Sequence, residues 1–312
     1  MSSKAFDVVI VGGGAAGLTA ALVLGRARRR VIAIDAGAPR NAPAEHMHGF
    51  LSRDGMPPAD LLAAGRAEVQ GYGVEMLPGH VVAAAAQDGS FRIETAEGTT
   101  LHARRILLAT GVLDELPDIP GARERWGRDL LHCPYCHGWE VRDQAIGVLG
   151  TRPDAVQHAV LIRQWSDDLI FFAHDLELAS EDRATLQLRG IRVVHGTVTR
   201  LQVEADRLTG VELAGEQVVP RVALFIRPVA ASHPDGLTTA LGCEIDDAGS
   251  PIVDGTGRTS VPGVWAAGNL VDPRLQVIAS AGAGSTAAIA INADLVQEDV
   301  AIARGSGPGA VR

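Results

Sequence analysis

The chain has 312 residues, 46% of them hydrophobic, and a formal net charge of −9. That length accommodates two domains of ordinary size with a large apolar core. The acidic balance excludes a nucleic-acid surface, since the one basic cluster, Arg28-Arg29-Arg30, is short and reads as a solvated helix end. Three cysteines are too few for a disulfide framework.

Met1 to Asp7 shows no basic-then-apolar export pattern, so a reducing, cytoplasmic compartment is expected. Phe6 to Val11, in which Asp7 is the one polar residue, is an apolar run typical of a strand buried on both faces. Gly12-Gly13-Gly14-Ala15-Ala16-Gly17 follows, then the helix-prone Leu18 to Leu24, then a second apolar run from Val31 that ends in Asp35. This order is a Rossmann βαβ unit. In it Gly12 permits a tight turn, Gly14 lets the backbone approach a pyrophosphate, and Gly17 lets helix and strand pack closely. Asp35 is placed for a ribose hydroxyl. His46, Met47 and His48 lie in the next loop, which reads equally as a packed loop or a cofactor-facing one. Arg105 to Gly111 reads as the strand that closes the first unit.

Asp118-Ile119-Pro120-Gly121 reads as a linker, and His132-Cys133-Pro134-Tyr135-Cys136-His137-Gly138 follows it. As a redox pair the two sulfurs would exchange with another dithiol, with His132 or His137 moving protons. Cys133, Cys136 and a histidine could instead supply three metal ligands, although no second such pair completes a site. C-x-x-C-H is also the haem-attachment pattern, and two buried structural thiols are a fourth reading. Ala145 to Gly150 is a second strand, followed by a helix from about Asp154 to Gln164 and a strand from Leu169 to Ala173. The chain thus contains two divergent copies of one α/β architecture. Val193–Val203, Gly210–Leu213 and Val222–Ile226 fit further strands. Thr259 to Asn269 reads as a turn, a short buried strand and a glycine-terminated end. Leu275 to Ile291 is rich in Ala, Gly and Ser, which suits a close-packed helix rather than a membrane span. Cys243 and the four tryptophans (Trp126, Trp139, Trp165, Trp265) are expected in the core or an interface, and the Gly/Pro-rich tail from Arg304 to Arg312 is expected to fray.

In this order, the GxGxxG turn, Ala109-Thr110-Gly111, the C-x-x-C pair and Pro262-Gly263-Val264-Trp265-Ala266-Ala267-Gly268 resemble the low-molecular-weight thioredoxin reductase family over nearly the whole chain. The resemblance implies two Rossmann-like, three-layer nucleotide-binding domains. A discontinuous FAD domain (residues 1–117 and 242–312) would carry an inserted NAD(P)-type domain (118–241). It also implies a homodimer. By the same resemblance Gly12, Gly13, Gly14, Ala15 and Gly17 would hold the FAD pyrophosphate, and Asp35 the adenosine ribose. Gly268 and Asn269 would approach the ribityl chain, and Gln276 with Val277 the flavin ring. Arg40, Asn41, His48, Ala109 and Gly111 would be further cofactor contacts. Asn269 stands where the family has Asp, a change of charge that still leaves a hydrogen-bond acceptor.

Cys136 would be the sulfur nearest the flavin, Cys133 the one exchanging with substrate, and His137 the acid/base in place of the family's Asp. After the strand at Ile146–Leu149, family members that use NADPH have a Gly-rich turn; here it reads Gly150-Thr151-Arg152-Pro153-Asp154. Asp175 and Glu177 stand where a basic cluster for the 2′-phosphate would be. NADPH is therefore not expected as a cofactor, and NADH stays open. The chain is similar in this respect to the FAD-dependent dithiol oxidases of the gliotoxin, holomycin and romidepsin type, which carry C-x-x-C-His-Gly, an aromatic and Glu, here Trp139-Glu140. The leading expectation is a dithiol oxidase that forms a disulfide in a small-molecule substrate and passes the electrons to O2, giving H2O2. The second is a thioredoxin-reductase-like enzyme fed by ferredoxin or NAD(P)H. The third is a non-enzymatic, redox-sensing or metal-binding flavoprotein. No bound metal, nucleic acid or membrane is expected.

Overall fold

A computed structural model describes residues 5–305, apart from 88 and 234. The expected fraying of the tail falls mostly on 306–312, outside the described residues. The chain forms two compact units. One runs to Arg40 and includes Pro58–Leu113 and the chain from Ala231 on; the other comprises Asn41–Pro57 and Asp114–Ala230.

The first unit is built on a seven-stranded sheet. Its parallel part runs Glu75–Pro78, Val31–Asp35, Ala5–Val11, Thr100–Leu108, with Val264–Ala266 also paired to Thr100–Leu108. Val81–Gln87 and Ser90–Thr95 extend it as an antiparallel hairpin. Strand side chains alternate between faces. Val8 and Ile10 therefore join a core made by the helices Ala15–Arg26 and Val277–Gly305. Val9 and Val11 join the opposite core with Phe91, Ile93, Leu237 and Cys243. Both faces are covered, which is why Val8 to Val11 reads as an unbroken apolar run.

The second unit repeats the plan. Its five parallel strands run Arg192–His195, Leu169–His174, Ile146–Leu149, Ala223–Phe225, Leu130–Leu131. Ala155–Ile162 and Ser180–Leu188 supply helices, and Phe171, Val148 and Phe225 face the core that includes residues of both. Ile170, Phe172 and Leu224 face the other way, onto the three-stranded antiparallel sheet Val198–Glu204, Arg207–Leu213, Val218–Pro220.

Several sequence expectations shift. The divisions fall at Leu113/Asp114 and Ala230/Ala231, against 117/118 and 241/242 expected. The segment read as a linker is packed: Ile119 and Ala122 are buried in the second unit's core, and Leu201 N–H donates to Pro120 O (3.0 Å). Leu237 belongs to the first unit's core instead. Asn41–Pro57 groups with the second unit, where Pro43 lies against Gly127. The run Val193–Val203 is two strands in two sheets, broken at Gly196 (φ +115°). The strand expected to reach Gly111 ends at Leu108. Arg29 is not simply solvated, since its guanidinium donates to Asn292 Oδ1 (2.8 Å) and Asp299 Oδ2 (2.9 Å). Trp265 is fully buried, whereas Trp139 is 66% exposed. Among the described residues no helix is long and apolar enough to cross a membrane.

Candidate active site

The first strand of the first unit ends at Val11, and Gly12 turns the chain with φ +109°, a conformation side chains rarely adopt. A Cβ there would lie 2.3 Å from Ala109 O, and one on Gly17 would lie 1.9 Å from Gly12 O. Strand, turn and helix are therefore packed backbone to backbone. Gly14 is different: nothing lies within 4 Å of a Cβ built on it. It is the N-cap of Ala15–Arg26, with no side chain capping the first turn. The N–H groups of that turn thus face an open cradle suited to a pyrophosphate.

Asp35 Oδ1 accepts from Gly13 N–H (3.3 Å) and Gly37 N–H (3.2 Å), and Arg66 Nη2 lies 2.8 Å from Asp35 Oδ2. Arg66 had no signal in the sequence; it reaches Asp35 from the helix Pro58–Gly71. Ala109 N–H donates to Val11 O (2.8 Å), and Gly111 turns with φ +73° into open space.

The far segment of the chain closes on the same helix. A Cβ on Gly268 would lie 2.9 Å from Ala16 Cβ, and one on Gly284 would lie 2.0 Å from Ala16 O. Asn269 Nδ2 donates to Asp272 O (3.1 Å) and Leu275 O (3.0 Å). An Asp here would set a carboxylate against two carbonyls, so the amide suits this loop and leaves Oδ1 as an acceptor. Arg40 Nη1 donates to Pro273 O (2.6 Å) of the same loop. Gln276 O accepts from Ser280 N–H (2.9 Å), and Val277 opens the helix Val277–Gly305 with its own N–H free of an intrahelical partner. The open turn at Gly14, the uncapped helix and Asn269 Oδ1, which accepts no hydrogen bond among the described residues, together fit FAD.

Cys133 and Cys136 form a disulfide in the second unit, with Cα atoms 5.2 Å apart. Cys133 is the N-cap of the short helix Pro134–His137, whose first residue is a proline, the residue that needs no N–H there. Cys136 and His137 N–H groups both donate to Cys133 O (3.1 Å each), which fixes the loop. A Cβ on Gly138 would strike Pro134 O at 2.5 Å and Trp165 at 2.8 Å, so the aromatic wall behind the helix requires glycine. Tyr135 packs edge-on against Trp165 (centroids 5.5 Å), yet is 61% exposed. Arg142 lies over the exposed Trp139 ring at 3.9 Å.

Burial is the main cause that holds the His137 imidazole below its ordinary pKa; His48 adds to this and Glu140 opposes it. His137 is therefore neutral near pH 7. His48 and Asn41 fall in the second unit, and the imidazole of His48 sits between Asp54 Oδ2 (3.3 Å) and Glu140 Oε1 (3.4 Å). Sequence reading placed His48 with the cofactor contacts; its neighbours here are carboxylates beside the disulfide helix. Behind that helix His158 Nε2 lies 2.9 Å from His132 O. Burial foremost, then the nearby His132, push the His158 pKa down to about 3. His158 is thus a neutral donor that ties the helix Ala155–Ile162 to the residue preceding Cys133. Cys243 is a buried free thiol, 3.6 Å from Thr259 Oγ1, and is raised in pKa by burial. Among the described residues no group of three His, Cys, Asp or Glu is arranged to hold a metal ion.

The profile of the family described as pyridine nucleotide-disulphide oxidoreductase matches residues 6–285. A probable thioredoxin reductase of Arthroderma benhamiae is 33% identical over 57% of this chain, and the match spans 46% of that relative's length. Thioredoxin reductase sirT of Leptosphaeria maculans is 30% identical over 95% of this chain and 96% of its own. Among solved structures, the crystal structure of HlmI superposes with a TM-score of 0.93 and 58% identity, over 97% of this chain and 96% of that one.

Proposed function

Because the chain belongs to the pyridine nucleotide-disulphide oxidoreductase family, as an FAD-dependent disulfide oxidoreductase of the thioredoxin-reductase-like kind, we propose that it works as a dithiol oxidase. The observation that carries this reading is the contrast between the two units. The first offers an open glycine cradle, while the second carries the Cys133–Cys136 disulfide and a turn after Ile146–Leu149 that keeps only Gly150 of the glycines a pyrophosphate needs. Thr151 and Arg152 carry side chains where a pyrophosphate would approach the backbone. Gly150 remains for packing, since a Cβ there would lie 2.9 Å from Phe171 Cζ and 3.0 Å from Phe172 O. At the end of the next strand Asp175 accepts from Thr197 Oγ1 (2.6 Å) and pairs with His174 (3.3 Å), an acidic setting that repels a 2′-phosphate.

In this reading a substrate thiolate attacks Cys133 Sγ, breaking the disulfide and releasing Cys136 as thiolate. The substrate's second thiol then attacks the mixed disulfide. The products are a substrate disulfide and two enzyme thiols, so two electrons and two protons have entered the pair. His137, neutral and next in the chain after Cys136, takes a thiol proton. When bound, FAD supplies the two-electron acceptor that restores the disulfide and passes the electrons to O2, giving H2O2. The substrate is a small dithiol, the assembly a homodimer and the compartment the reducing cytoplasm. The names of the relatives favour a second reading, in which the pair reduces a protein disulfide with electrons from ferredoxin or NAD(P)H.

The deciding experiment is an anaerobic titration of the yellow protein with dithiothreitol and with NADPH, followed by air. The dithiol should bleach the flavin, NADPH should leave it oxidised, and air should restore the colour with release of H2O2. Rapid bleaching by micromolar NADPH would sink the proposal in favour of the second reading.

The lowered His137 pKa gives a pH dependence. A protonated imidazole cannot accept a proton, so flavin reduction by dithiol should fall as pH drops through that value. His137→Ala should slow reduction about 10²-fold near pH 8 and by less as the wild-type imidazole protonates, so the wild-type-to-variant rate ratio should fall toward low pH. Stopped-flow reduction from about pH 5 to 8 reads that ratio, in which the falling thiolate fraction of dithiothreitol cancels; a ratio that does not change with pH removes His137 from proton transfer.

A further inference from the structure

We propose that Asp154 is a built-in anion that occupies the place of a dinucleotide pyrophosphate in the second unit, and so helps to determine where this enzyme takes its electrons. The inference rests on the reading that a dithiol, not a nicotinamide, is the electron source.

In an open parallel sheet, ligands bind in the crevice beyond the carboxyl ends of the strands, where the strand order reverses. Here Ile146–Leu149 has Leu169–His174 on one side and Ala223–Phe225 on the other. The reversal therefore lies between Ile146–Leu149 and Ala223–Phe225. The turn Gly150–Asp154 leaves one lip of that crevice, and Ile226-Arg227 leaves the other. A pyrophosphate entering it would meet the N-terminus of the helix Ala155–Ile162.

Asp154 is the N-cap of that helix, yet its side chain makes no hydrogen bond to the first turn. The carboxylate is instead shared between two cations. Arg152 Nε donates to Oδ1 at 3.3 Å, and Arg227 Nε, from the opposite lip, lies 3.0 Å from Oδ2. A carboxylate clasped by two guanidinium groups over a helix N-terminus reproduces the environment of a bound phosphate. All three side chains are partly exposed, at 39% for Asp154, 41% for Arg152 and 35% for Arg227, so the pairing itself adds little stability. Its effect is on competition. The carboxylate lies two residues from Arg152 and is held by the fold against Arg227, so toward both it acts at an effective concentration on the order of millimolar or above, and an incoming phosphate must displace it and its charge. The arginines that would otherwise favour a phosphate are thus already taken.

The test uses the purified holoenzyme, Asp154→Asn and the double variant Asp154→Asn/Arg227→Gln, with inorganic pyrophosphate as the calorimetric probe. Asp154→Asn keeps the side-chain shape and frees both guanidinium groups. It should bind pyrophosphate at least about tenfold more tightly than the wild type, and the double variant should lose that gain. Flavin content and dithiol-driven reduction should not change, which establishes that the variants are folded. The proposal is overturned if folded Asp154→Asn binds pyrophosphate no better than the wild type, or if the gain survives removal of Arg227. Reduction of the wild-type flavin by NADPH would instead overturn the reading of function. The pyrophosphate comparison decides the role of Asp154 independently of it.

Discussion

Cys136→Ser is expected to stop dithiol oxidation while leaving the protein yellow. Serine can replace the thiol in volume but cannot close the disulfide with Cys133. With no sulfur to receive the pair of electrons, turnover should fall by a factor on the order of 10⁴ or more, as when an enzyme loses its nucleophile. The cradle for FAD lies in the other unit, and Cys136 makes no part of it. Anaerobic stopped-flow with dithiothreitol, alongside the flavin-to-protein absorbance ratio, separates the two effects. A variant that still turns over at a tenth of the wild-type rate would show that the pair is not the entry point for electrons.

Gly284→Ala is expected to damage the flavin unit far more than a methyl group suggests. Its Cβ would lie 2.0 Å from Ala16 O and 2.8 Å from Ala16 C. Both are backbone atoms of the first turn of Ala15–Arg26, so no side chain can move aside. The two helices must separate, at a cost of about 3 kcal/mol or more, which lowers the melting temperature by roughly 5–10 °C in a protein of this size. The same displacement would distort the N–H groups that face the cradle, so flavin content should fall as well. Gly282→Ala is the control. Two residues away in the same helix, a Cβ meets nothing within 4 Å, and the change should raise stability by about 0.5–1 kcal/mol through helix propensity. Equal melting temperatures for the two variants would refute the argument from close packing.

The two βαβ units and both cradle glycines were legible in the sequence because their signals are local. Apolar runs mark doubly covered strands, and Gly12 and Gly17 sit where φ or backbone contact permits nothing larger. The Cys133–Cys136 pair was legible as chemistry, since three residues of separation bring two sulfurs together. What escaped was long-range pairing. Arg66 reaches Asp35 across 31 residues, and Arg227 reaches Asp154 across 73; neither leaves a pattern in composition or period. The grouping of Asn41–Pro57 goes with contacts such as Pro43 against Gly127 and His48 against Glu140, and the break at Gly196 with a single left-handed residue inside a stretch that otherwise has a strand's mixture of apolar and polar residues. Asn269 looked like a loss of charge until its amide was seen holding two carbonyls.

The closure of the first unit by Val264–Ala266 and Val277–Gly305 also bears on how the protein is made. The strand contributed by Val264–Ala266 completes a sheet begun at Ala5, and Gly284 seats against Ala16. Translation proceeds at about 5–20 residues per second, so the phosphate-facing turn leaves the ribosome roughly a quarter of a minute or more before its covering helix. During that interval Asp114–Ala230 can collapse on its own parallel sheet, while the apolar strands around Val8 and Ile10 wait with one face uncovered. Flavin capture is therefore a late event in biogenesis. The span between Arg26 and Val277 is the stretch of synthesis in which those strands most need protection from other chains.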